Sequence, residues 1–163
     1  MRAAGGHALV TSLGKSGAVG RRLAASLAST GARAFYVHAA EWAHGDLGNL
    51  AAGRDVLIAL SHSGRTAEVA GVAREAAARG VPVVAVVGGG ADAAAASPLG
   101  RAATHVVPYA LPEAEPHGGV PSMSIVAQEM AANALVRSLA KRDGFDAARF
   151  KVNHPGGALG ASL

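Results

Sequence analysis

The sequence predicts an α/β fold: a three-layer α/β/α sandwich around a five-stranded parallel sheet. Three observations support this prediction. Short β-rich runs alternate with alanine-rich helical runs, each pair separated by a glycine or polar loop. The β-rich runs are mostly apolar without alternation, which is typical of parallel strands covered on both faces. The chain has 163 residues, 50% of them hydrophobic, and shows neither a long-period repeat nor a dividing linker, so we expect one domain over 1–163.

The elements follow in a regular order along the chain. The sequence predicts strands over 8–13, 34–38, 56–60, 83–87 and 105–107. It predicts helices over 19–29, 67–79, 93–102 and 122–142, with a short segment over 43–50. Right-handed crossovers would join these elements into a doubly wound sheet. Two segments do not fit this alternation, the proline-rich stretch 108–121 and the glycine-rich tail 152–163, and we interpret each as a functional or a disordered loop.

Composition excludes several classes of function. Without cysteine, the chain has no thiol catalysis, iron-sulfur cluster or cysteine zinc site. The chain has a net charge of +4, but its basic residues are scattered along the sequence and few aromatic residues lie between them. We therefore expect a small anionic ligand and no nucleic acid. No apolar stretch reaches membrane-spanning length and the N-terminus lacks a signal-peptide core, which predicts a cytoplasmic protein without membrane contact.

The strongest functional signal lies in two loops that follow predicted strands. In the flavodoxin-like strand order 2-1-3-4-5, ligands bind where the order reverses, between the first and third strands. The loops after those strands are the turn 14–17 (Gly14-Lys15-Ser16-Gly17) and the segment 61–66, here called the serine loop (Ser61-His62-Ser63-Gly64-Arg65-Thr66). Both lead into helices, whose N-terminal N–H groups favour phosphate. The alternative interpretation is that these residues only cap helices and form tight turns.

Other motifs are incomplete. The Gly14-Lys15-Ser16 run resembles the end of a P-loop, but Leu9 occupies the position of its first glycine. The glycines at 14, 17 and 20 do not have dinucleotide-binding spacing, and neither loop forms a GxSxG elbow. The histidines form no recognised metal-ligand pair, and His44 with Asp46 is only a weak metal-binding pattern, so we expect no metal and no cofactor.

Three candidate residues also have a purely structural interpretation. Glu68 would be a carboxylate in the first turn of a helix, Glu113 a solvated loop residue, and His154 part of a frayed terminus.

Taken together, the motifs resemble the sugar isomerase (SIS) domain family, and within it the arabinose 5-phosphate isomerases. The resemblance covers nearly the whole chain. It is carried by the segments Leu13-Gly14-Lys15-Ser16-Gly17, Ala28-Ser29-Thr30-Gly31, His44-Gly45-Asp46-Leu47-Gly48, Ser61-His62-Ser63-Gly64 with Thr66 and Glu68, and His154-Pro155-Gly156-Gly157-Ala158-Leu159-Gly160.

The resemblance implies a function and a site. It implies interconversion of ribulose 5-phosphate and arabinose 5-phosphate, a step towards lipopolysaccharide, without a cofactor. The phosphate would be held by the serine loop through Ser61, Ser63, Gly64 and Thr66, together with Gly14 and Ser16. Active-site positions of the family map onto Lys15, His44, Glu68, Glu113 and His154, with Ser122 and Ser124 near the ligand. The tail histidine would reach a site shared between subunits of a dimer or tetramer.

The sequence departs from the family in places. Arg65 replaces a commonly acidic residue, and Met123 and Ile125 stand where Ser and Thr are frequent. Helices before the first strand and a CBS pair after the domain are further features that the resemblance implies, and we expect neither in this chain.

From these residues we expect isomerisation through a cis-enediol(ate), which needs a base and an electrophile for the developing oxyanion. Glu113 and His154 are the candidates for base and proton shuttle, with His44 as the alternative for either role. Lys15 would stabilise the oxyanion or bind phosphate, and Glu68 would orient a sugar hydroxyl or a catalytic partner. The competing hypotheses are a non-catalytic phosphosugar-binding regulator and an isomerase of a hexulose or heptulose phosphate.

Overall fold

The computed structural model describes residues 5–162 and contains one parallel sheet. Its strands are β1 (Ala8–Ser12), β2 (Ala34–His38), β3 (Val56–Ser61), β4 (Val83–Gly88) and β5 (His105–Tyr109). They lie in the order β2-β1-β3-β4-β5, which confirms the predicted α/β class and the reversal between β1 and β3. In the register, Ala8 pairs with Ala34 on one side and Val56 on the other.

Helices cover both faces of the sheet. They are α1 (Gly14–Ser29), α2 (Ala67–Ala78), α3 (Gly90–Ala96), α4 (Pro98–Ala102), α5 (Pro116–Gly119), α6 (Met123–Arg142), α7 (Ala147–Asn153) and α8 (Ala158–Ala161). Two 3₁₀ helices, Trp42–His44 and Asp46–Asn49, follow β2.

Alternate residues of each strand enter two separate cores. Leu9, Leu57 and Val83 pack under α2 and α4, in a cluster that includes Leu99. Val10 and Leu60 pack on the opposite face under α1 and α6. Both faces of the strands are therefore buried, which explains why the apolar runs show no alternation.

The first helix begins earlier than predicted, at Gly14 instead of residue 19. The prediction assigned the glycine run to a loop, but in the structure small residues let the helix lie close to the sheet. A Cβ at Gly20 would collide with Ser12 Oγ and the ring of Tyr36. The glycine spacing in this segment therefore serves packing, and Lys15 and Ser16 belong to the first turn of a helix.

Three other predicted segments differ in the structure. The helix predicted over 93–102 is divided at Ser97, because Pro98 cannot continue a helix, and Ser97 Oγ instead accepts the N–H of Gly100 to begin α4. The segment 43–50 forms the two 3₁₀ helices, which Gly45 separates with a φ of 125°. The tail, interpreted as a loop, contains the end of α7 and all of α8, while 108–121 contains α5.

Candidate functional site

The serine loop joins the end of β3 to α2 and holds its hydroxyls in a fixed arrangement. Ser61 is buried, and its Oγ lies 2.9 Å from Oγ1 of Thr66. Thr66 occupies the N-cap position of α2, but its side chain makes no capping hydrogen bond. Ser63 Oγ accepts the N–H of Arg65 at 3.2 Å. The turn-forming interpretation therefore accounts for Ser63 but not for Ser61 and Thr66, whose hydroxyls pair beside the α2 N-terminus.

Gly64 allows the loop to pack against α4. Its φ is +64°, a conformation that residues with a Cβ rarely adopt, and a Cβ there would collide with the side chain of Ser97. The carbonyl of Gly64 accepts the N–H of Leu99 at 3.0 Å. The loop is thus fixed by the neighbouring helix, which gives a ligand a rigid set of donors.

The turn after β1 lies next to the serine loop. β1 and β3 are paired, with Thr11 opposite Ala59, so the two strands end side by side at the same edge of the sheet. α1 begins directly afterwards with no side-chain cap and no acidic residue in its first turn. Lys15 is exposed there and Ser16 is half-buried. This edge of the sheet thus carries two uncapped helix N-termini and one lysine, which together favour an anion.

The segment after β2 is anchored by a residue that sequence analysis missed. Trp42 is fully buried, and its Nε1 donates to Oγ1 of Thr11 on β1 at 2.9 Å. Trp42 and Leu47 line a groove of about 300 Å³ that also includes Glu68 of α2. His44 is exposed at the end of the first 3₁₀ helix. The structure therefore brings Glu68 to the segment that carries His44, and the lone tryptophan was the available signal for this anchor.

A second missed residue, Glu115, organises the N-terminus of α6. One carboxylate oxygen accepts the N–H groups of Ser122 and Met123, each at 2.9 Å, and the other accepts that of Ser124 at 2.7 Å. Hydrogen bonding from Ser124, followed by the backbone donors, lowers the pKa of Glu115 from 4.5 to about 2. No sequence motif marks this contact, because Glu115 lies seven residues before the first serine that it binds.

The loop fixed by Glu115 also carries Glu113. Glu113 is exposed two residues earlier, in the connection from β5 to α6. Ser122 is exposed, whereas Ser124 is buried. Since β5 ends at the carboxyl edge and α6 starts there, the structure places all three residues on the same edge of the sheet as the serine loop.

His62 connects the serine loop to α6 through buried polar groups. Its Nδ1 lies 3.0 Å from the hydroxyl of Tyr109, which also accepts from Nε2 of Gln128 at 3.3 Å. Gln128 is fully buried, and burial raises the pKa of Tyr109. His62 therefore holds the serine loop against β5 and α6, whereas the sequence alone did not indicate a role for this histidine.

His154 lies at the opposite end of the molecule. Its Nε2 is 3.0 Å from Ser29 Oγ, its ring stacks on Phe150 at 3.8 Å, and Asn153 Nδ2 donates to the Ser29 carbonyl. Ser29 ends α1, a helix of 16 residues whose first turn holds Lys15. At about 1.5 Å per residue, the two ends are roughly 24 Å apart. Within one chain, the structure does not bring His154 to the other candidate residues.

Residues 5–162 contain neither a side-chain group suited to a metal ion nor a helix suited to a membrane. No group of three or more histidine, aspartate or glutamate side chains in this range could hold a metal ion. No helix in it has both the length and the apolar character needed to cross a lipid bilayer.

Comparisons with known proteins agree with the fold. Residues 2–138 match the family model of the SIS domain. The arabinose 5-phosphate isomerase KdsD of Salmonella typhi is 40% identical over 159 residues, which cover 97% of this chain and 47% of KdsD. The arabinose 5-phosphate isomerase GutQ of the same organism is also 40% identical over 159 residues, covering 97% of this chain and 48% of GutQ. The chain thus spans about half the length of the curated relatives it matches.

Solved structures include similar folds. The E. coli CFT073 protein c3406, solved in complex with arabinose 5-phosphate, matches with a TM-score of 0.78 and 33% identity over 93% of this chain and 77% of that one. A Listeria monocytogenes protein matches with a TM-score of 0.82 and 23% identity over 94% of this chain and 78% of its own, which supports the fold alone. Because the family model covers most of the sequence and the sheet has the expected order, the chain belongs to the SIS domain family.

Proposed function

We propose that the chain is an aldose–ketose isomerase of a sugar phosphate, with arabinose 5-phosphate and ribulose 5-phosphate as its substrate pair. The observation that carries this proposal is the Ser61–Thr66 hydroxyl pair beside the Lys15 turn, at the point where the strand order reverses. The names of KdsD and GutQ, and the arabinose 5-phosphate bound to c3406, support this choice of sugar.

The serine loop would hold the phosphate. Ser61, Ser63 and Thr66 supply hydroxyl donors, and the first turn of α2 supplies N–H groups that its cap side chain does not occupy. Hydrogen bonds to a charged oxygen are stronger than those between neutral groups. Binding the phosphate here leaves the carbonyl end of the sugar free to extend along the carboxyl edge.

The reaction moves one proton between adjacent carbons and one between their oxygens. A base removes the proton from C2 of the aldose, and the electron pair forms the enediolate with its charge on the C1 oxygen. The C2 hydroxyl proton passes to the C1 oxygen, and return of the first proton to C1 gives the ketose. Glu113 is the proposed base and His154 the proton shuttle, with His44 as the alternative for either. Lys15 would stabilise the enediolate oxygen by its charge, and Glu68 would orient a sugar hydroxyl.

This assignment requires a second subunit. His154 lies at the far end of α1 from Lys15, held by Ser29, so it would act at a site of a neighbouring chain. We therefore propose a homo-oligomer in which the tail of one subunit completes the site of another.

The direct test incubates the protein with pentose, hexose and heptose phosphates in D₂O and follows aldose–ketose exchange by NMR. We expect conversion of arabinose 5-phosphate to ribulose 5-phosphate, with solvent deuterium incorporated at the reacting carbon. Exchange confined to a hexose or heptose phosphate would change the assigned sugar. Binding of a sugar phosphate with neither conversion nor deuterium uptake would instead support a regulatory phosphosugar-binding protein.

A further inference from the structure

A second polar cleft lies on the β4 side of the serine loop. It has a volume of about 600 Å³ and is bounded by Ser63 and Arg65 of the loop, Gly89 after β4, and Arg101 of α4. Ser61 and Thr66, whose paired hydroxyls lie in the proposed phosphate seat, are not among its lining residues, whereas Ser63 borders both the seat and the cleft. The serine loop therefore has two sides, and Ser63 borders this second one.

The charge of this cleft is positive and not balanced by the protein. Arg65 and Arg101 are both exposed, and neither forms an ion pair with any residue in the described range 5–162. The lining residues include no carboxylate, and Asp92 on α3 is exposed outside this lining. An anion bound on this concave surface would be attracted by both guanidinium groups.

Hydrogen-bonding groups are available in the same place. Arg101 donates through Nη1 to the carbonyl of Ala96, which holds the arginine at the cleft while its other donors make no hydrogen bond within the described part of the chain. Ser63 Oγ accepts from the N–H of Arg65, which fixes the serine side chain between the cleft and the proposed phosphate seat. Gly89 has no side chain, so its backbone can approach a ligand closely. Planar guanidinium donors suit the oxygens of a phosphate.

We propose that the Arg65–Arg101 cleft is a second anion site that binds a phosphate group, separate from the seat formed by Ser61 and Thr66. This phosphate belongs either to a bisphosphorylated substrate spanning both sites or to an independent effector. The proposal goes beyond the isomerase activity and does not require it, because it depends only on the geometry of the cleft.

The test titrates the whole chain with inorganic pyrophosphate and follows backbone amides by ¹H–¹⁵N NMR. We expect saturable shifts at Gly89 and around Arg101. The paired variant Arg65→Gln/Arg101→Gln should weaken this binding about tenfold or more, since hydrogen bonds to charged groups are lost. The matched control Arg74→Gln/Arg79→Gln removes the same charge from exposed positions on and just after α2 and should change affinity by no more than about twofold.

Two further variants keep the result decisive. If Arg101→Gln disturbs α4, the single variant Arg65→Gln decides the question, because the Arg65 side chain makes no hydrogen bond in the described range. Ser61→Ala should leave pyrophosphate binding at the cleft intact. The proposal is overturned if the cleft amides do not shift, if the control pair weakens binding equally, or if Ser61→Ala abolishes it.

Competition distinguishes the two sources of phosphate. Pyrophosphate affinity that is unchanged by saturating arabinose 5-phosphate identifies an independent effector site. Mutual exclusion, with shifts at Gly89 that still depend on Arg65, identifies one extended site for a bisphosphorylated sugar. A protein that fails to isomerise any sugar yet binds pyrophosphate here would contradict the proposed function and leave the second anion site supported.

Discussion

The side chains expected to decide ligand affinity are the hydroxyls of the serine loop. We expect Ser63→Ala to raise the Kd for arabinose 5-phosphate about tenfold, because a hydrogen bond to a charged oxygen is worth about 1.5 kcal/mol or more. The turnover number should remain within about twofold, since this bond holds the phosphate equally in ground and transition states. Calorimetric titration and steady-state kinetics measure the two quantities. Ser138→Ala, an exposed site on α6, is the control, and a fall in kcat at constant Kd would contradict the assignment.

Also at the residue level, Glu115 should make stability depend on acid pH. Its pKa is lowered from 4.5 to about 2 in the folded chain, so its contribution is complete above pH 4.5 and is lost as the pH falls towards 2. Glu115→Gln should therefore lower the Tm at neutral pH, and the difference from the unmodified protein should shrink through this window. Thermal unfolding at a series of pH values measures it. A Tm difference that is constant with pH would show that the charge of Glu115 is not responsible.

Among the elements, the segment after β2 depends on the bond from Trp42 to Thr11. Trp42→Phe leaves the Thr11 hydroxyl, which is fully buried, without its donor, and should cost about 1–3 kcal/mol in unfolding free energy beyond the packing loss. In a Thr11→Val background, the same substitution should cost less, because no hydroxyl is left unpaired. Urea unfolding of the four proteins gives this coupling. Strictly additive costs would contradict it.

The elements also show how far the sequence can predict this molecule. Continuous apolar runs between glycine or polar loops locate the ends of all five strands to within two residues. This works because both faces of the sheet are buried, so that each strand is apolar along its length. The start of α1 could not be predicted, since a glycine run indicates a loop until Tyr36 is known to pack on it. The carboxyl-edge location of the serine loop followed from strand order. The contacts of Glu115 could not be predicted because no motif marks partners seven to nine residues away, and the partner of Trp42 lies 31 residues away on β1.

For the whole molecule, the separation of His154 from Lys15 predicts complementation between subunits. Glu113→Gln and His154→Ala should each lower turnover strongly while sugar phosphate binding persists. Mixing the two inactive proteins after unfolding and refolding should restore up to about a quarter of the activity, because some sites then combine both intact residues. Activity of the mixed sample against each variant alone is the measurement. Absence of recovery, with mixed oligomers shown by mass spectrometry, would contradict a shared site.

We propose that one edge of the sheet holds a sugar phosphate by its phosphate and exposes its carbonyl end to ionisable side chains. A crystal structure of the protein with bound arabinose 5-phosphate would show whether the ligand lies there. We expect the phosphate among Ser61, Ser63 and Thr66, with the sugar directed towards Lys15. A phosphate seated elsewhere, with the serine loop unoccupied at saturating ligand, would contradict it.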